Sequence, residues 1–415
     1  MTKQEAVTNY ISENYLDFNR LRHDVISDKL QVRCAHSLEY WREMTKQDIN
    51  SIVCHCAQEY DVNITSREVM TALQSDLIPD VHPLREYIQS LPPYTPDQPD
   101  WIDFVASQVK VKPSGEEVKG KKARGEELWR ACFKKWFVAM VASWMQDEMV
   151  NHQVLVLIGR QGIFKTTWLE RLIPPHLRAY ACKLANSNDL NKDERLRIAE
   201  FGLISLDEID SMNNRELNQL KSVITATDVN ERAAYAYTKE RRIRLASFCA
   251  SGNRRDFLTD ITGNRRWLPF EVESIQNPFY TTLPYDLMYA QAWALAQDPL
   301  FGYWFDLDEI EVLEQHNQHF RDTSNEEQLL DVYFAVPTTD ASNAKFLTTA
   351  EISERLIYYG NIKKPMTLSR LGVLLSQKGF LSVRRGNPSR RGWIIYERES
   401  QEVNSERSIL SKDLY

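Results

Sequence analysis

The spacing of apolar positions changes period along the chain. Through the first ninety residues, "NYLDFNRLRHDVISDKLQV" and "WREMTKQDINSIVCHCAQEY" set apolar residues three and four apart, the spacing of a helix face. "ITSREVMTALQS" opens with a Thr/Ser cap before another periodic run. A helical N-terminal region over 1–92 is therefore expected. "SLPPYTPDQPD", with four prolines, breaks the pattern and reads as a linker or elbow. The polar, glycine-containing "VKVKPSGEEVKGKKARGEE" reads as a mobile loop. The helix "LWRACFKKWFVAMVASWMQ" follows, so 93–152 leads into the next region.

From 153 to 275 the rhythm is that of an α/β domain. Apolar runs "VLVLIG", "FGLISLDE" and "RIRLASFCAS" alternate with "KTTWLERLI" and "NRELNQLKSVIT". Helical patterns return over 276–335, in "LMYAQAWALAQ" and "EIEVLEQHNQHFRDTSNEEQLLDVYF". Over 336–415, "LTTAEISERLIYY" and "MTLSRLGVLLSQKG" precede "FLSVRRGNPSRRGWIIYER", two strands around a turn. Helix, helix and hairpin predict a winged-helix-like C-terminal domain.

Composition narrows the class. The 415 residues are 43% hydrophobic and 26% charged, ordinary for a globular protein of two or three domains. Apolar runs are strand-sized, well short of the ~20 residues of a membrane span. The first thirty residues carry acids and lack the apolar core of a signal peptide, so a cytoplasmic protein is expected. The six cysteines are scattered, which reads as reduced thiols. "CHCAQ" on a helical pattern points its side chains in different directions and lacks paired zinc-ligand spacing. Net charge is −7, yet 232–266 holds nine Lys/Arg against three Asp/Glu, and 365–400 seven against two. Basic segments on an acidic chain fit aimed phosphate contacts, although arginines can also form only a solvated face.

The stretch "VLVLIGRQGIFKTTWLERLI" raises the sharpest chemical question. A strand ending at Gly159 and a helix beginning near Lys165 aim backbone N–H groups and a helix N-terminus at one point. In the template G-x-x-x-x-G-K-[ST], lysine reaches the β/γ-phosphates and the hydroxyl binds Mg²⁺. Lys165 and Thr166 supply both, with Gly159, Gly162 and Thr167 beside them, but Phe164 stands where the template has glycine. Either Gly162 takes over the flexible role or the site is impaired.

A second half follows downstream. Asp207 and Glu208 end an apolar strand, where the first can hold the magnesium's water shell and the second polarise an attacking water. Asn253 ends another strand and can sense a γ-phosphate or simply cap a turn. Arg265 and Arg266 follow a glycine turn, where either can act as an arginine finger.

The series "GRQGIFKTTW", "LISLDE", "VNERAAY", "CASGN" and "TGNRRWLPFE" resembles the virulence-associated protein E family of P-loop ATPases, from about residue 30 through 275. That family is related to superfamily III helicases and to primase-helicases of phages and mobile elements. The resemblance implies an α/β P-loop ATPase core, AAA+ or superfamily III helicase-like, in a hexameric ring that moves on single-stranded or forked DNA. It makes Lys165 and Thr166 the Walker A residues, Asp207 and Glu208 the Walker B pair and Asn253 the sensor. Arg265 or Arg266 becomes the finger reaching a neighbour's ATP. Arg232, Tyr235, Lys239, Arg241 and Arg242 fall where relatives place DNA-contacting loops. In the C-terminal domain, Ser369, Arg370, Gln377 and Lys378 on the second helix and Arg384, Arg385, Arg390 and Arg391 on the hairpin would face DNA. ATP and Mg²⁺ are the implied cofactors. The competing expectation is a nucleotide-dependent binding or regulatory module that moves no strand.

Overall fold

A computed structural model describes the chain except residues 35–36, 114–116, 119–120, 123–124, 185–195, 232–239, 259–263, 322–323, 338–342, 386–388, 400 and 405–415. The chain divides into two compact units, one formed by Met1–Phe257 with Asn264–Phe320, the other mainly by the residues from Arg321 onward.

The first unit is built on a six-stranded sheet. Its strands, in chain order, are β1 (Val109–Val111), β2 (Val154–Ile158), β3 (Ala181–Leu184), β4 (Leu203–Leu206), β5 (Ser247–Gly252) and β6 (Trp267–Ile275). Their spatial order is β1-β6-β2-β5-β4-β3, with β1 antiparallel at one edge and every other pairing parallel. Both faces of a parallel sheet are covered, which is why every residue of β2, β4 and β5 is buried and these strands are apolar apart from glycine and the small serines Ser205, Ser247 and Ser251.

Much of the packing comes from the helix Gly125–Met145, whose Trp129, Phe133, Trp136, Phe137 and Trp144 are all buried. Its indole N–H groups find carbonyls at once: Trp136 donates to Phe248 O at 3.1 Å and Trp144 to Gly202 O at 3.1 Å. A buried tryptophan thus satisfies its one polar atom while filling the core. The helix Tyr285–Gln297 packs through Tyr289, which lies in the same core.

The N-terminal region departs from the all-helical expectation. Helices Lys3–Ile11, Lys46–Tyr60, Ser66–Leu73 and Pro83–Ser90 are present, but strands Leu21–Asp24, Lys29–Cys34 and Ser37–Glu43 form an antiparallel sheet, joined in parallel by Asp80–Val81. The turn explains the miss. Asp24 Oδ1 accepts from the Ile26 N–H at 2.9 Å, and Asp28 adopts φ 56°, a conformation aspartate tolerates. The hairpin is therefore set by two aspartates rather than by a glycine.

"RIRLASFCAS" also differs from the single strand expected of it. Glu240–Ile243 pairs with Asp228–Glu231 in a separate ribbon, and only Ser247–Gly252 joins the main sheet. Between them Arg244 turns inward, fully buried, and donates to carbonyls of Val223, Ile224, Ala226, Ala246 and Asn151. It closes the C-terminus of the helix Asn214–Thr225, where unpaired carbonyls attract a cation. Burial pulls its pKa down to about 9.

The second unit has the helix, helix and hairpin order read from the sequence: Thr349–Gly360, Leu368–Gln377, Leu381–Arg385 and Arg390–Glu397. Its core gathers Leu330, Phe334, Leu356, Leu371, Leu375, Trp393 and Ile395. Among the described residues no helix is long and apolar enough to cross a membrane.

Candidate nucleotide-binding site

At the carboxyl end of β2 the chain turns through Gly159–Phe164 into the helix Lys165–Glu170. Gly159 is dictated by crowding, since a Cβ there would lie 2.9 Å from Val272 O. Gly162 has φ 84°. Phe164 takes φ 68°, the left-handed region where the template has glycine, and its ring meets Phe279 edge-on with centroids 6.2 Å apart.

Six non-glycine residues adopt positive φ among those described, and four are Asn or Asp, which tolerate it. The other two, Phe164 and Glu208, line the same pocket. Backbone strain in residues without a local excuse collects at functional sites.

The pocket, about 310 Å³, is lined by Gln161, Gly162, Phe164, Lys165, Thr166, Thr167, Asp207, Glu208, Ser251, Gly252 and Asn253. It lies at the carboxyl ends of adjacent parallel strands, where open α/β sheets bind ligands. Lys165, 7% exposed, donates to Gly159 O at 2.7 Å, Arg160 O at 2.8 Å and Asn253 Oδ1 at 3.3 Å. Burial lowers its ammonium pKa, opposed by Asp210 and Asp207. The Thr166 hydroxyl donates to Asp207 Oδ1 at 3.2 Å and shares a 2.9 Å bond with Ser251 Oγ, which itself donates to Asp207 Oδ1 at 2.8 Å. Lys183 holds the other Asp207 oxygen at 2.8 Å. Burial would raise the Asp207 carboxyl, but donation from Lys183, Ser251 and Thr166 outweighs it and keeps the pKa below the ordinary value.

Sequence reasoning missed Lys183, Ser251 and Asp210. Asp210 accepts from the Asn253 and Arg254 backbone N–H groups, both at 3.1 Å, and so fixes the turn that carries Asn253. The "DEID" spacing held the signal for Asp210; serine inside an apolar strand and lysine in a short edge strand held none. Among the described residues no three His, Cys, Asp or Glu side chains converge on a metal position. Thr166 and Asp207 fit Mg²⁺, which typically takes one or two protein oxygens and completes its shell with phosphate and water.

The remaining candidates lie elsewhere. Arg265 and Arg266 sit in a short turn before β6, and Trp267 pairs with Val154 at the amino end of β2. The length of β2, about 17 Å at ~3.3 Å per residue, separates them from this chain's own pocket. Arg241, 74% exposed, pairs with Asp228 at 2.9 Å. Arg242 faces Asp28 at 3.2 Å and Glu200 at 3.7 Å, so two carboxylates take up its charge. Arg232, Tyr235 and Lys239 lie outside the described residues. In the second unit Arg384 lies opposite Arg391 and Arg385 opposite Arg390, all exposed. Lys378, expected on DNA, is instead engaged by Asp331 at 2.6 Å and Glu327 at 3.4 Å.

These features define a mixed α/β protein with a polar, cation-bearing pocket at the carboxyl edge of a parallel sheet. Residues 120–322 match the model of the virulence-associated protein E-like domain. The match includes every lining residue of the pocket as well as Arg265 and Arg266. Among solved structures, the A form apo structure of the NrS-1 C-terminal region (305–718) is 11% identical, covering 95% of this chain and 100% of that one, with TM-score 0.41. An apo structure of the same region is 12% identical, covering 96% and 100%, also with TM-score 0.41. Likeness at this level assigns no function. No curated protein matches the chain.

Proposed function

We propose that this chain binds ATP with Mg²⁺ in the Gly159–Asn253 pocket and couples hydrolysis to movement on DNA in replication of a phage or mobile element. The carrying observation is the convergence of Lys165, Thr166, Asp207, Ser251 and Asn253 through direct hydrogen bonds. The turn's N–H groups and Lys165 receive the β- and γ-phosphates, whose oxygens compete with the Gly159 and Arg160 carbonyls for the ammonium. Thr166 and Asp207 would hold the metal, which would neutralise phosphate charge. Glu208, on its left-handed turn, orients the attacking water, and Asn253 relays the phosphate's presence to Lys165 and the Asp210 turn.

Arg265 and Arg266 lie at the wrong edge of the sheet for their own pocket, which supports an arginine finger offered to a neighbouring subunit. Assembly into a ring, hexameric by the family resemblance, follows from that reading. The exposed arginine pairs of the C-terminal hairpin oppose like charges across two strands, an arrangement that costs stability unless phosphate neutralises it. A winged helix gripping DNA is the corresponding role for the second unit.

The test is phosphate release with and without single-stranded DNA. Stimulation by DNA is the expected result. Tight ATP binding without turnover would favour the regulatory module, the reading to which the strained Phe164 lends support.

A further inference from the structure

The N-terminal sheet has two unlike faces. Strand alternation sends Leu21 and Leu30 toward the helical core and Arg22, Gln31, Arg33 and Trp41 to the opposite side. That side floors a second cavity of about 340 Å³, roofed by residues of Pro83–Ser90 and His176–Tyr180.

Its chemistry is cationic and aromatic. The Trp41 ring lies 4.0 Å from the Arg22 guanidinium carbon and 4.2 Å from that of Arg33. Arg22, 4% exposed, pairs with Glu86. Among the described residues Arg33 forms no carboxylate salt bridge, its Nε is buried without a hydrogen-bond partner, and the Trp41 indole N–H is buried in the same condition. Burial and the neighbouring Arg22 lower the Arg33 pKa, and the Glu86 charge only partly opposes them. The other acid beneath the cavity, Asp24, is already occupied, accepting from Tyr180 Oη at 2.8 Å and Gln31 at 3.1 Å. A part-buried guanidinium held over an indole can present its N–H fork to an oxyanion. The volume lies at the lower end of small-ligand pockets, room for one nucleotide.

We infer that this cavity is a second binding site, for the phosphate of a single nucleotide, free or within a strand, with Arg33 as its principal ligand and Arg22 and Trp41 as its platform. The site is separate from the Lys165 pocket and does not depend on ATP hydrolysis. Glu86 is its internal competitor, an acid that occupies Arg22 until phosphate arrives.

The test uses the full chain carrying Lys165→Ala, which removes the first pocket's lysine. Two probes are titrated, a fluorescein-labelled twelve-nucleotide oligothymidylate by anisotropy and thymidine monophosphate by calorimetry. Loss of one charge-assisted contact predicts roughly tenfold weaker binding for Arg33→Ala. Glu86→Gln is expected to tighten binding several-fold, a gain that misfolding cannot produce. A response of thymidine monophosphate marks a free nucleotide as ligand; a response of the oligonucleotide alone marks a strand. Arg33→Ala that leaves both affinities within about twofold, or Glu86→Gln that tightens neither, overturns the inference.

Discussion

The two edges of the central sheet make a useful contrast. At the amino edge Arg244 is fully buried, and its guanidinium is spent on backbone carbonyls that need donors. At the carboxyl edge Lys165 is nearly as buried, but its partners are two carbonyls of the turn and the Asn253 amide, and Glu208 across the pocket sits on left-handed backbone. One cation completes the fold, and the other faces a pocket lined by polar side chains. Burial of a charge alone therefore does not mark a site; what matters is whether its partners are obligatory backbone groups or groups that a ligand can replace.

Four variants, one of them double, separate the edges in descending order of effect. Replacing both Arg265 and Arg266 by alanine should cost roughly 10³-fold in ATP turnover with ATP affinity retained, because a finger acts on the transition state of the neighbouring site. Wild-type turnover in that variant would exclude the pair from catalysis. Lys165→Ala should cost about 10²-fold in turnover and weaken ATP binding, while unfolding free energy moves by about 1 kcal/mol at most. Unchanged hydrolysis would remove the pocket assignment altogether.

Arg244→Met should invert that pattern, losing ~3 kcal/mol in denaturant unfolding as the carbonyls lose their donor, with turnover per folded molecule preserved. A stable Arg244→Met protein with poor turnover would move this arginine into the functional machinery. The smallest effect is expected from Phe164→Gly. Relief of the left-handed strain offsets the freer unfolded chain, so stability should stay within about 1 kcal/mol. Turnover should rise roughly threefold as the backbone approaches phosphate more closely. Collapse of ATP binding would instead give the aromatic ring a positive role.

The carboxyl edge was largely legible in the sequence because parallel strands advertise themselves as unbroken apolar runs, and their ends are marked by Gly159, Asp207 and Asn253. Ser251 was not legible, since one small polar residue does not interrupt such a run. Lys183 belongs to a four-residue edge strand with no period to detect. The N-terminal sheet was less legible. Lys29–Cys34 alternates polar and apolar residues as a half-buried strand does, but the run is short and apolar residues of the surrounding segments also fall at helical intervals. Arg244 was counted only as one charge of a basic stretch, because sequence does not distinguish an arginine in solvent from one capping a helix inside the core.

The order of the strands carries one more consequence. β5 lies in space between β2 and β4, yet it is the last of the three to be synthesised. The glycine turn and the paired acids thus leave the ribosome well before the spacer that brings them to working separation, and no truncated chain ending short of Gly252 holds the complete cradle. On the proposed reading, nucleotide recognition needs β2, β4 and β5 together, so a ligand bound there would also stabilise the pairing of β5 with both neighbours.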